Sequence, residues 1–531
     1  MTLKTIPLLG GALTVALSAS ALSKDASKPN ILIILADDLG FSDLGCFGGE
    51  ISTPNIDRLA VQGMRMTRFY SNPMSAPTRC SLMTGLYQTN AGIGNMGLAT
   101  TTPEYSDHLR HDCATLAETL REGGYATAIS GKWHLGSADG QRPAQRGFGR
   151  SFSMIGGAGD YYNPTSVRLD DNRWTPSGPY YQTCAFSDRA VEYIDASGAR
   201  PLLLYVAYNA PHWPLQAPQS EIDKYMGLYM QGWDALRRAR FERQKQIGLI
   251  PEQTVLAPRD ERAPDWSSLS LVQQQKWCYK MAVYAAMVGI VDQGVGKIVA
   301  ALDRKGALDN TIIMFLSDNG ACPYKASSYG PPAADRNDAT VAGSSLFYDY
   351  PWANVSTTPN YRYKRFTYQG GINVPCIVRY PPLVKGGAFS AVTAHVMDIM
   401  PTCLELAKVP ALKMLNGKKM QKLNGVSLVG TWRGSDAPVH EYIGWEHHGE
   451  CALLKGNWKI VYDHADEVRR WELYDLSRDG GVEITDLADK YPDKVRELEA
   501  DYNRWMRDNH VLSLEQQKKL TKVARDKDNK E

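Results

Sequence analysis

Polar residues stand directly after four short apolar stretches of the chain. They are Asp37 and Asp38, Lys132 and His134, His212, and Asp318 and Asn319. In open α/β sheets, ligands bind beyond the carboxyl ends of the strands, so we expect these side chains to meet at one edge. Carboxylate and amide oxygens suit Ca²⁺ or Mg²⁺, and the set contains no thiolate for zinc. Taken singly, such residues more often cap helices or form structural hydrogen bonds.

A second candidate segment runs from Ser75 to Gly85 and reads SAPTRCSLMTG. Pro77 is compatible with the start of a helix and Gly85 with its end, which places Ser75 just ahead of the helix N-terminus. Free N–H groups and the helix dipole favour an anion there, and Arg79 adds a permanent cation one turn later. Taken alone, the segment is equally compatible with a short capped helix.

The apolar stretches themselves predict the elements that position these residues. Runs at 31–36, 125–130, 201–208 and 311–317 have the length and composition of buried parallel strands. Helix-like periodicity lies between them at 109–122 and 277–305, and the second segment is bounded by Gly306. Strands that alternate with helices predict an α/β fold with a mostly parallel sheet covered on both faces.

The last third of the chain follows a different pattern. Residues 322–359 are rich in Ala, Ser, Tyr and Pro and are predicted to form a long surface excursion. Segments 451–462 and 471–475 indicate short antiparallel strands, and 492–508 indicates a helix. We therefore predict a smaller α+β unit after about residue 430. The Lys-rich segment beyond Gln516 is expected to be frayed helix or disorder.

Composition narrows the class of protein. The 531 residues include 59 Lys+Arg and 57 Asp+Glu, and the net charge of +2 argues against a dedicated nucleic-acid binder. A hydrophobic content of 43% is sufficient for a large core. The nine cysteines are scattered without a CxxC pair, so neither a disulfide framework nor a zinc site is expected. One or two incidental disulfides remain open.

Residues 1–23 have the features of a signal peptide. Lys4 gives a positive start, residues 6–22 are mostly apolar and small, and the segment closes on Ser23. We predict export to the periplasm or the medium, with a mature chain that begins near Lys24. A membrane anchor is the alternative for this segment. No later segment offers about 18 uninterrupted apolar residues, so we expect no membrane span after removal of the signal.

Together these motifs resemble the type I, formylglycine-dependent sulfatases of the alkaline-phosphatase superfamily. The resemblance extends from Pro29 to about Trp505 and centres on the Ser-x-Pro-x-Arg signature followed by Leu-Met-Thr-Gly. It also includes TPNIDRL at 53–59 and GGINVP at 370–375. The implied architecture is a large, mostly parallel sheet sandwiched by helices, with a smaller C-terminal α+β subdomain. The expected boundaries are 24–430 for the catalytic domain, 431–515 for the subdomain that completes the substrate pocket, and 516–531 for the tail.

The resemblance also assigns chemical roles. Ser75 would be oxidised to formylglycine by a sulfatase-maturing enzyme. One hydroxyl of the hydrated aldehyde attacks sulfur and displaces the alcohol, and loss of the other proton then reforms the aldehyde as sulfate leaves. Arg79 would orient the diol. The expected ligands of one Ca²⁺ ion are Asp37, Asp38, Asp318, Asn319 and the modified side chain of Ser75.

Two lysines and two histidines complete the implied machinery. Lys132 and Lys364 correspond to sulfate-binding lysines, and Lys364 lies six residues before Gly370 as the family spacing requires. His134 would contact the diol and trigger elimination. His212 would contact the substrate and protonate the leaving alcohol. The alternative for Lys364 is a solvated basic loop, because arginines flank it on both sides.

The leaving group is predicted to be a sugar. Candidate contacts with the sugar are Asp160, Tyr161, Tyr162, Trp213, Trp445, Glu446, His447 and His448. Aromatic and polar side chains of this kind can form a sugar site, although the aromatic residues are equally compatible with packing and the two histidines with a surface pair. The resemblance implies a host-glycan or glycosaminoglycan sulfate, with galactose or N-acetylhexosamine sulfate as candidates. The alternatives are a phosphoester hydrolase that uses unmodified Ser75 and a catalytically silent glycan-binding relative.

Overall fold

The computed structural model describes residues 28–97, 99–100, 102–324, 338–464 and 470–528, so the predicted signal peptide lies outside the described residues. The strands are β1 (Asn30–Ala36), β2 (Met64–Met66), β3 (Phe69–Tyr70), β4 (Ala126–Lys132), β5 (Arg150–Met154), β6 (Val167–Leu169), β7 (Asn172–Arg173), β8 (Leu202–Ala207), β9 (Thr311–Ser317), β10 (Cys376–Arg379), β11 (Ala388–Ser390), β12 (Ala394–His395), β13 (Met414–Leu415), β14 (Lys418–Lys419), β15 (Ile443–His447), β16 (Glu450–Lys455), β17 (Trp458–Tyr462) and β18 (Trp471–Asp475). The helices are α1 (Pro54–Gln62), α2 (Ser75–Thr84), α3 (Gln88–Ala91), α4 (Leu116–Glu122), α5 (Gln182–Ala196), α6 (Gln219–Ile222), α7 (Trp233–Gln246), α8 (Leu271–Arg304), α9 (Asp349–Ser356), α10 (Gln369–Ile372), α11 (Ile399–Ala407), α12 (Val429–Trp432), α13 (Pro492–Asp508) and α14 (Leu514–Asp528).

A ten-stranded mixed sheet forms the centre of the protein and confirms the predicted α/β class. Its strand order is β11-β2-β10-β9-β1-β8-β4-β5-β6-β7. The five central strands from β9 to β5 pair in parallel, whereas β10 and β6 join the sheet antiparallel at either side. The four predicted strand segments are β1, β4, β8 and β9, and they lie side by side in this parallel centre.

Helices cover both faces of the sheet because both faces of the central strands are apolar. In β1, Leu32 and Ile34 contribute to the core formed with helices α5 and α8. Ile31, Ile33 and Leu35 point into a second core, on the side of α2, α4 and α11. Side chains of a strand alternate between its two faces, so a strand apolar at every position is buried on both sides.

Helix α8 is longer than predicted and starts where Ser270 caps it, since the Ser270 side chain accepts from the backbone N–H of Gln273. By length and composition α8 could span a membrane, but 72% of its most apolar window is buried inside the protein. Its apolar composition is therefore accounted for by its position against the central sheet.

Two other predictions for local structure are wrong. Helix α4 begins at Leu116, not near 109, because Thr115 and Glu118 form a capping box that starts the helix there. The predicted surface excursion at 322–359 contains the buried helix α9, in which Trp352 packs against Tyr229 and Trp233. Residues 325–337 of that segment lie outside the described residues.

The C-terminal strands and the long helix follow their predicted positions. Strands β15 to β18 form a four-stranded antiparallel sheet, and α13 packs against it. The segment beyond Gln516, predicted as frayed helix or disorder, belongs to helix α14, which reaches Asp528. Gln517 is buried and donates to the Glu446 side chain, so this interaction anchors the start of the helix. All nine cysteines are unpaired.

Candidate active site

The register between β1 and β9 brings the predicted acidic residues together. Ala36 pairs with Ser317, so Asp37 and Asp318 leave adjacent parallel strands at the same level. The backbone N–H of Asp38 donates to Asp318 Oδ1 at 3.2 Å. The Asn319 side-chain amide donates to Asp38 Oδ1 at 2.6 Å. The strand ends form a buried, oxygen-rich site, in which four side chains are at most 1% exposed: Asp37, Asp38, Asp318 and Asn319.

Three buried cations face the three carboxylates. Lys132 Nζ lies 2.6 Å from Asp37 Oδ2, and Lys364 Nζ lies 2.6 Å from Asp38 Oδ1. Arg79 donates to Asp318 Oδ2 through Nη2 at 2.8 Å and through Nε at 3.1 Å.

These ion pairs control the protonation of the two acids that follow β1. Burial raises the pKa of Asp37, but the positive charge of Lys132 and its neighbours outweighs burial and holds that pKa below its ordinary value. Lys364 has the same effect on the pKa of Asp38. Both carboxyl groups are therefore ionised and can bind a cation.

Ser75 occupies the first position of α2 and points into the acidic cluster. Its Oγ lies 3.0 Å from Asp37 Oδ1 and 3.3 Å from Asn319 Oδ1. The helix ends at Gly85, whose left-handed φ of 66° and N–H bond to Ser81 form the predicted C-cap. The N-terminus of α2 and the strand ends thus meet at the Ser75 side chain.

Two histidines border the same cluster. His212 Nδ1 donates to the carbonyl of Trp213 at 2.6 Å, and its Nε2 lies 3.5 Å from Asp38 Oδ2. His134 has a buried Nδ1 without a hydrogen-bond partner among the described residues, and burial lowers the pKa of this imidazole well below its ordinary value. A Cβ at Gly157 would lie 2.6 Å from the His134 ring, so this glycine allows the loop to approach.

The loop candidates for sugar contact have structural partners. The hydroxyl of Tyr161 is buried and donates to the carbonyls of Asn209 and His212 at 2.6 and 2.8 Å. Asp160 accepts from Gln216 and from the backbone N–H of Tyr162. Tyr161 therefore holds the His212 segment, and Asp160 holds its own loop. Trp213 is half-buried, with its ring 5.3 Å from that of His212.

The C-terminal candidates lie at the tip of the β15–β16 hairpin. Trp445 is fully buried and donates to the carbonyl of Ser71, so it acts in packing. Glu446 accepts from Gln517 at 3.0 Å and from the backbone N–H of Gly449 at 2.9 Å. Burial raises the pKa of Glu446 to about 7. His447 is buried, and its ring lies 4.4 Å from that of the half-buried His448.

A supporting network around the first acidic loop was not foreseen from the sequence. Asp43 accepts from the backbone N–H of Gly40 at 2.8 Å, from Arg240 at 2.7 Å and from the Tyr284 hydroxyl at 2.7 Å. Tyr284 also reaches the carbonyl of Asp38 at 3.4 Å. The sequence offers one signal for this network, an additional acid at Asp43, six residues after Asp37. Nothing in the sequence pairs that acid with helices α7 and α8.

The donor set fits a hard divalent cation. Asp38 Oδ2 is buried and accepts no hydrogen bond from the described residues. Ligand atoms of Asp37, Asp38 and His212 lie within 4.8 Å of one another. An ionised carboxylate oxygen without a hydrogen bond is costly in a protein interior, and a bound cation would remove that cost.

The family match defines the chain as an enzyme that hydrolyses sulfate esters. The chain belongs to the sulfatase family: residues 29–409 match the family described as Sulfatase. Residues 360–508 match the C-terminal region of N-sulphoglucosamine sulphohydrolase. These matches cover the main sheet and the C-terminal sheet respectively, and they confirm the predicted family.

Known proteins show the same relationship. An arylsulfatase of Klebsiella aerogenes is 35% identical over 79% of this chain and 95% of its own length. An N-acetylgalactosamine-6-O-sulfatase of Bacteroides thetaiotaomicron is 27% identical over 93% of this chain and 97% of its own. The crystal structure of Ps i-CgsB in complex with k-i-k-neocarrahexaose superimposes with a TM-score of 0.67 at 24% identity, covering 91% and 94% of the two chains. At that identity the structural match supports the fold alone.

Proposed function

We propose that this sulfatase removes sulfate from carbohydrates and uses Ser75, after oxidation to formylglycine, as its nucleophile. The observation that carries the proposal is the position of Ser75 Oγ, 3.0 Å from Asp37 within a buried ring of carboxylates and cations. A hydroxyl at a helix N-terminus is well placed to attack an anionic ester, because the helix dipole and nearby cations attract it.

Some residues around Ser75 would act on the nucleophile, and others would act on the sulfate group. Formylglycine would supply an aldehyde hydrate that accepts the sulfuryl group and releases it again by elimination. Ca²⁺ held by Asp37, Asp38, Asp318 and Asn319 would supply Lewis-acid stabilisation of the reacting oxygens. Arg79, fixed on Asp318 by two hydrogen bonds, orients the side chain at position 75.

The remaining polar groups act on the substrate. Lys132 and Lys364 neutralise charge on the non-bridging sulfate oxygens. The Nδ1–H of His212 donates to the Trp213 carbonyl, so Nε2 is the nitrogen that would carry a proton to the leaving oxygen. Burial lowers the pKa of His212, which favours giving that proton up. His134, with its free Nδ1, is the candidate base for the elimination.

A sugar as leaving group is supported by a relative that aligns with nearly the whole chain. The N-acetylgalactosamine-6-O-sulfatase aligns over 93% of this sequence, including the C-terminal sheet. We therefore propose a sulfated galactose or N-acetylhexosamine unit of a glycan as substrate. The signal-like residues 1–23 support export of the enzyme to the compartment in which such polymers occur.

Mass spectrometry and sulfate release test the proposal together. Co-expression with a maturing enzyme should remove two hydrogens from the peptide that contains Ser75, and only this material should release sulfate from sugar sulfates. Ser75→Ala should lower turnover by at least ~10³-fold. The exposed Ser267→Ala variant is the control and should keep full turnover. Full activity of unmodified protein would overturn the formylglycine assignment.

Phosphoester hydrolysis is the second candidate. The unmodified Ser75 hydroxyl already has an ionised carboxylate within hydrogen-bond distance, as a plain nucleophile needs. Unmodified enzyme assayed with phosphomonoesters and phosphodiesters distinguishes the two, because only the second candidate predicts phosphate release without maturation.

A further inference from the structure

The β15–β16 hairpin brings two histidines to the catalytic side of the molecule. The turn residues His448 and Gly449 both have left-handed φ values, 51° and 92°, as a two-residue hairpin turn requires. The backbone N–H of His448 donates to Asn95 at 3.2 Å, and that of Gly449 to Glu446 at 2.9 Å. The first bond joins the tip of the hairpin to the catalytic domain, and the second closes the turn within the hairpin.

His447 has an unused donor or acceptor at this tip. The residue is 1% exposed, and its Nδ1 has no hydrogen-bond partner among the described residues. Burial, together with the charges of His448, Arg365 and Lys364, lowers the pKa of His447 well below its ordinary value. A buried ring nitrogen without a partner loses the hydrogen bond that water would have given it, and a ligand can restore that bond.

Arg365 lies between the sulfate lysine and the hairpin. Its backbone N–H donates to the carbonyl of Pro73 at 2.8 Å, and Thr367 Oγ1 donates to the carbonyl of Cys451 at 3.1 Å. The exposed Arg365 guanidinium forms no hydrogen bond or ion pair with the described residues. Its φ of 83° is unusual for a residue with a Cβ, and such strain concentrates at functional positions.

The acids near this cation do not cancel its charge. Burial and the adjacent Asp463 raise the pKa of Glu450 to about 8, so Glu450 is mostly protonated at neutral pH. Asp463 lies 3.6 Å from Arg362, which supplies a cation of its own. The Glu446 carboxyl is engaged by Gln517 and the Gly449 backbone. Arg365 therefore keeps an excess of positive charge beside the hairpin.

We propose that Arg365, His447 and His448 form a subsite for a second anionic group on the sugar, either a carboxylate or another sulfate. The subsite rests on the proposed function, because it needs the scissile sulfate at Lys364. Lys364 and Arg365 are consecutive, so their Cα atoms lie about 3.8 Å apart and the two cations leave neighbouring points of the backbone. The second anion would then be carried by the same sugar as the first or by its neighbour.

Paired substrates test this subsite. N-acetylgalactosamine 6-sulfate is compared with its 4,6-disulfate and with a 6-sulfated disaccharide that carries a uronic acid. The mature enzyme should prefer at least one dianionic substrate by kcat/KM. A charge-assisted hydrogen bond lost in Arg365→Gln should reduce that preference roughly tenfold or more, mainly through KM. Arg365→Lys should restore part of it.

Matched variants separate a specific subsite from general charge. His447→Gln should also reduce the preference for the dianionic substrate. Arg200→Gln should not, because Arg200 lies before the amino end of β8, whereas the site lies beyond the carboxyl ends of the strands. Which dianionic substrate loses its advantage identifies the group as carboxylate or sulfate. Sulfate release with no dianion preference, or a preference unchanged in Arg365→Gln and His447→Gln, overturns the subsite. Absence of sulfate release from every substrate overturns the proposed function instead.

Discussion

At the scale of single residues, the site depends on the balance of buried charge. Three carboxylates and three cations pair within the protein before any ligand binds. A divalent cation added to such a balanced set leaves an excess of positive charge. A sulfate ester carries one negative charge, so the excess favours the substrate and the further charge that develops on its oxygens in the transition state.

Removal of the Tyr161 hydroxyl tests whether this residue positions His212 or contacts the sugar. Tyr161→Phe removes a donor from two buried carbonyls, and we expect a loss of about 1–3 kcal/mol in the free energy of unfolding. Turnover should fall with little change in KM. Tyr162→Phe is the control, because the Tyr162 hydroxyl has no hydrogen-bond partner among the described residues. A raised KM with unchanged stability would instead place Tyr161 in the sugar site.

Glu446 predicts a pH dependence of stability. Its pKa of about 7 in the folded state lies above the ordinary 4.5, so the folded protein binds this proton more tightly than the unfolded chain. Stability should therefore fall as pH rises from about 4.5 to 7, by about 3 kcal/mol from this group. Glu446→Gln should lack that part of the slope in denaturant unfolding across this range. The exposed Glu441→Gln should keep it, and equal slopes in both variants would contradict the assignment.

At the scale of elements, the site exists because strand ends and one helix start converge. The β1–β9 register sets Asp37 level with Asp318, and α2 directs Ser75 between them. Gly320 permits this packing, since a Cβ there would overlap the carbonyl oxygen of Gly370. The backbone of the Gly-Gly segment at α10 therefore lies so close to Gly320 that a residue with a side chain could not occupy position 320.

Helix α7 supports the first acidic loop through one arginine. Arg240→Met would remove the cation that pairs with buried Asp43 and with Glu50, and we expect a loss of about 3–5 kcal/mol in the free energy of unfolding. Ca²⁺ affinity, measured by calorimetry, should also weaken because Asp43 holds the Gly40 backbone beside Asp38. Arg238→Met on the exposed side of the same helix is the matched control. Equal stability of the two variants would exclude this supporting role.

At the scale of the whole molecule, the two sheets share one site. Trp445 of β15 donates to the carbonyl of Ser71 at 2.9 Å, just ahead of α2. Lys459 of β17 donates to the carbonyl of Thr367 at 2.7 Å, three residues after Lys364. The C-terminal sheet therefore braces the segments that carry Ser75 and Lys364. Loss of its packing should disturb catalysis as well as stability.

Calcium should stabilise the entire protein by mass action. A ligand at 100 times its dissociation constant adds about 2.7 kcal/mol when only the folded state binds it. We expect Ca²⁺ to raise Tm and a chelator to reverse the rise, in mature and unmodified protein alike. Asp38→Asn should abolish the shift, and the exposed Asp309→Asn should keep it. A Tm insensitive to Ca²⁺ in the unsubstituted protein would count against the metal site.

The sequence determined much of this protein because parallel strands impose strong local patterns. The apolar runs of β1, β4, β8 and β9 identified the α/β class, and the polar residues after them form most of the candidate site. Helix α2 was also predicted, since Pro77 is compatible with its first turn and Gly85 with its end, although Ser75 is its first residue and does not precede it. Family motifs then added Lys364, which the local sequence alone does not distinguish from a residue of a solvated basic loop, because arginines flank it.

Only the tertiary structure decided which of the other candidates face the site. Tyr161 and Asp160 carry suitable groups, yet both are occupied by backbone or amide partners. Gln517, predicted to lie in a frayed helix or a disordered tail, is buried and donates to Glu446, and Arg240 donates to Asp43 from a position 197 residues away. Such contacts join distant segments, so they follow from packing and not from local periodicity. The sequence specifies the chemical groups and their strands, whereas burial and long-range pairing decide which groups remain available to a substrate.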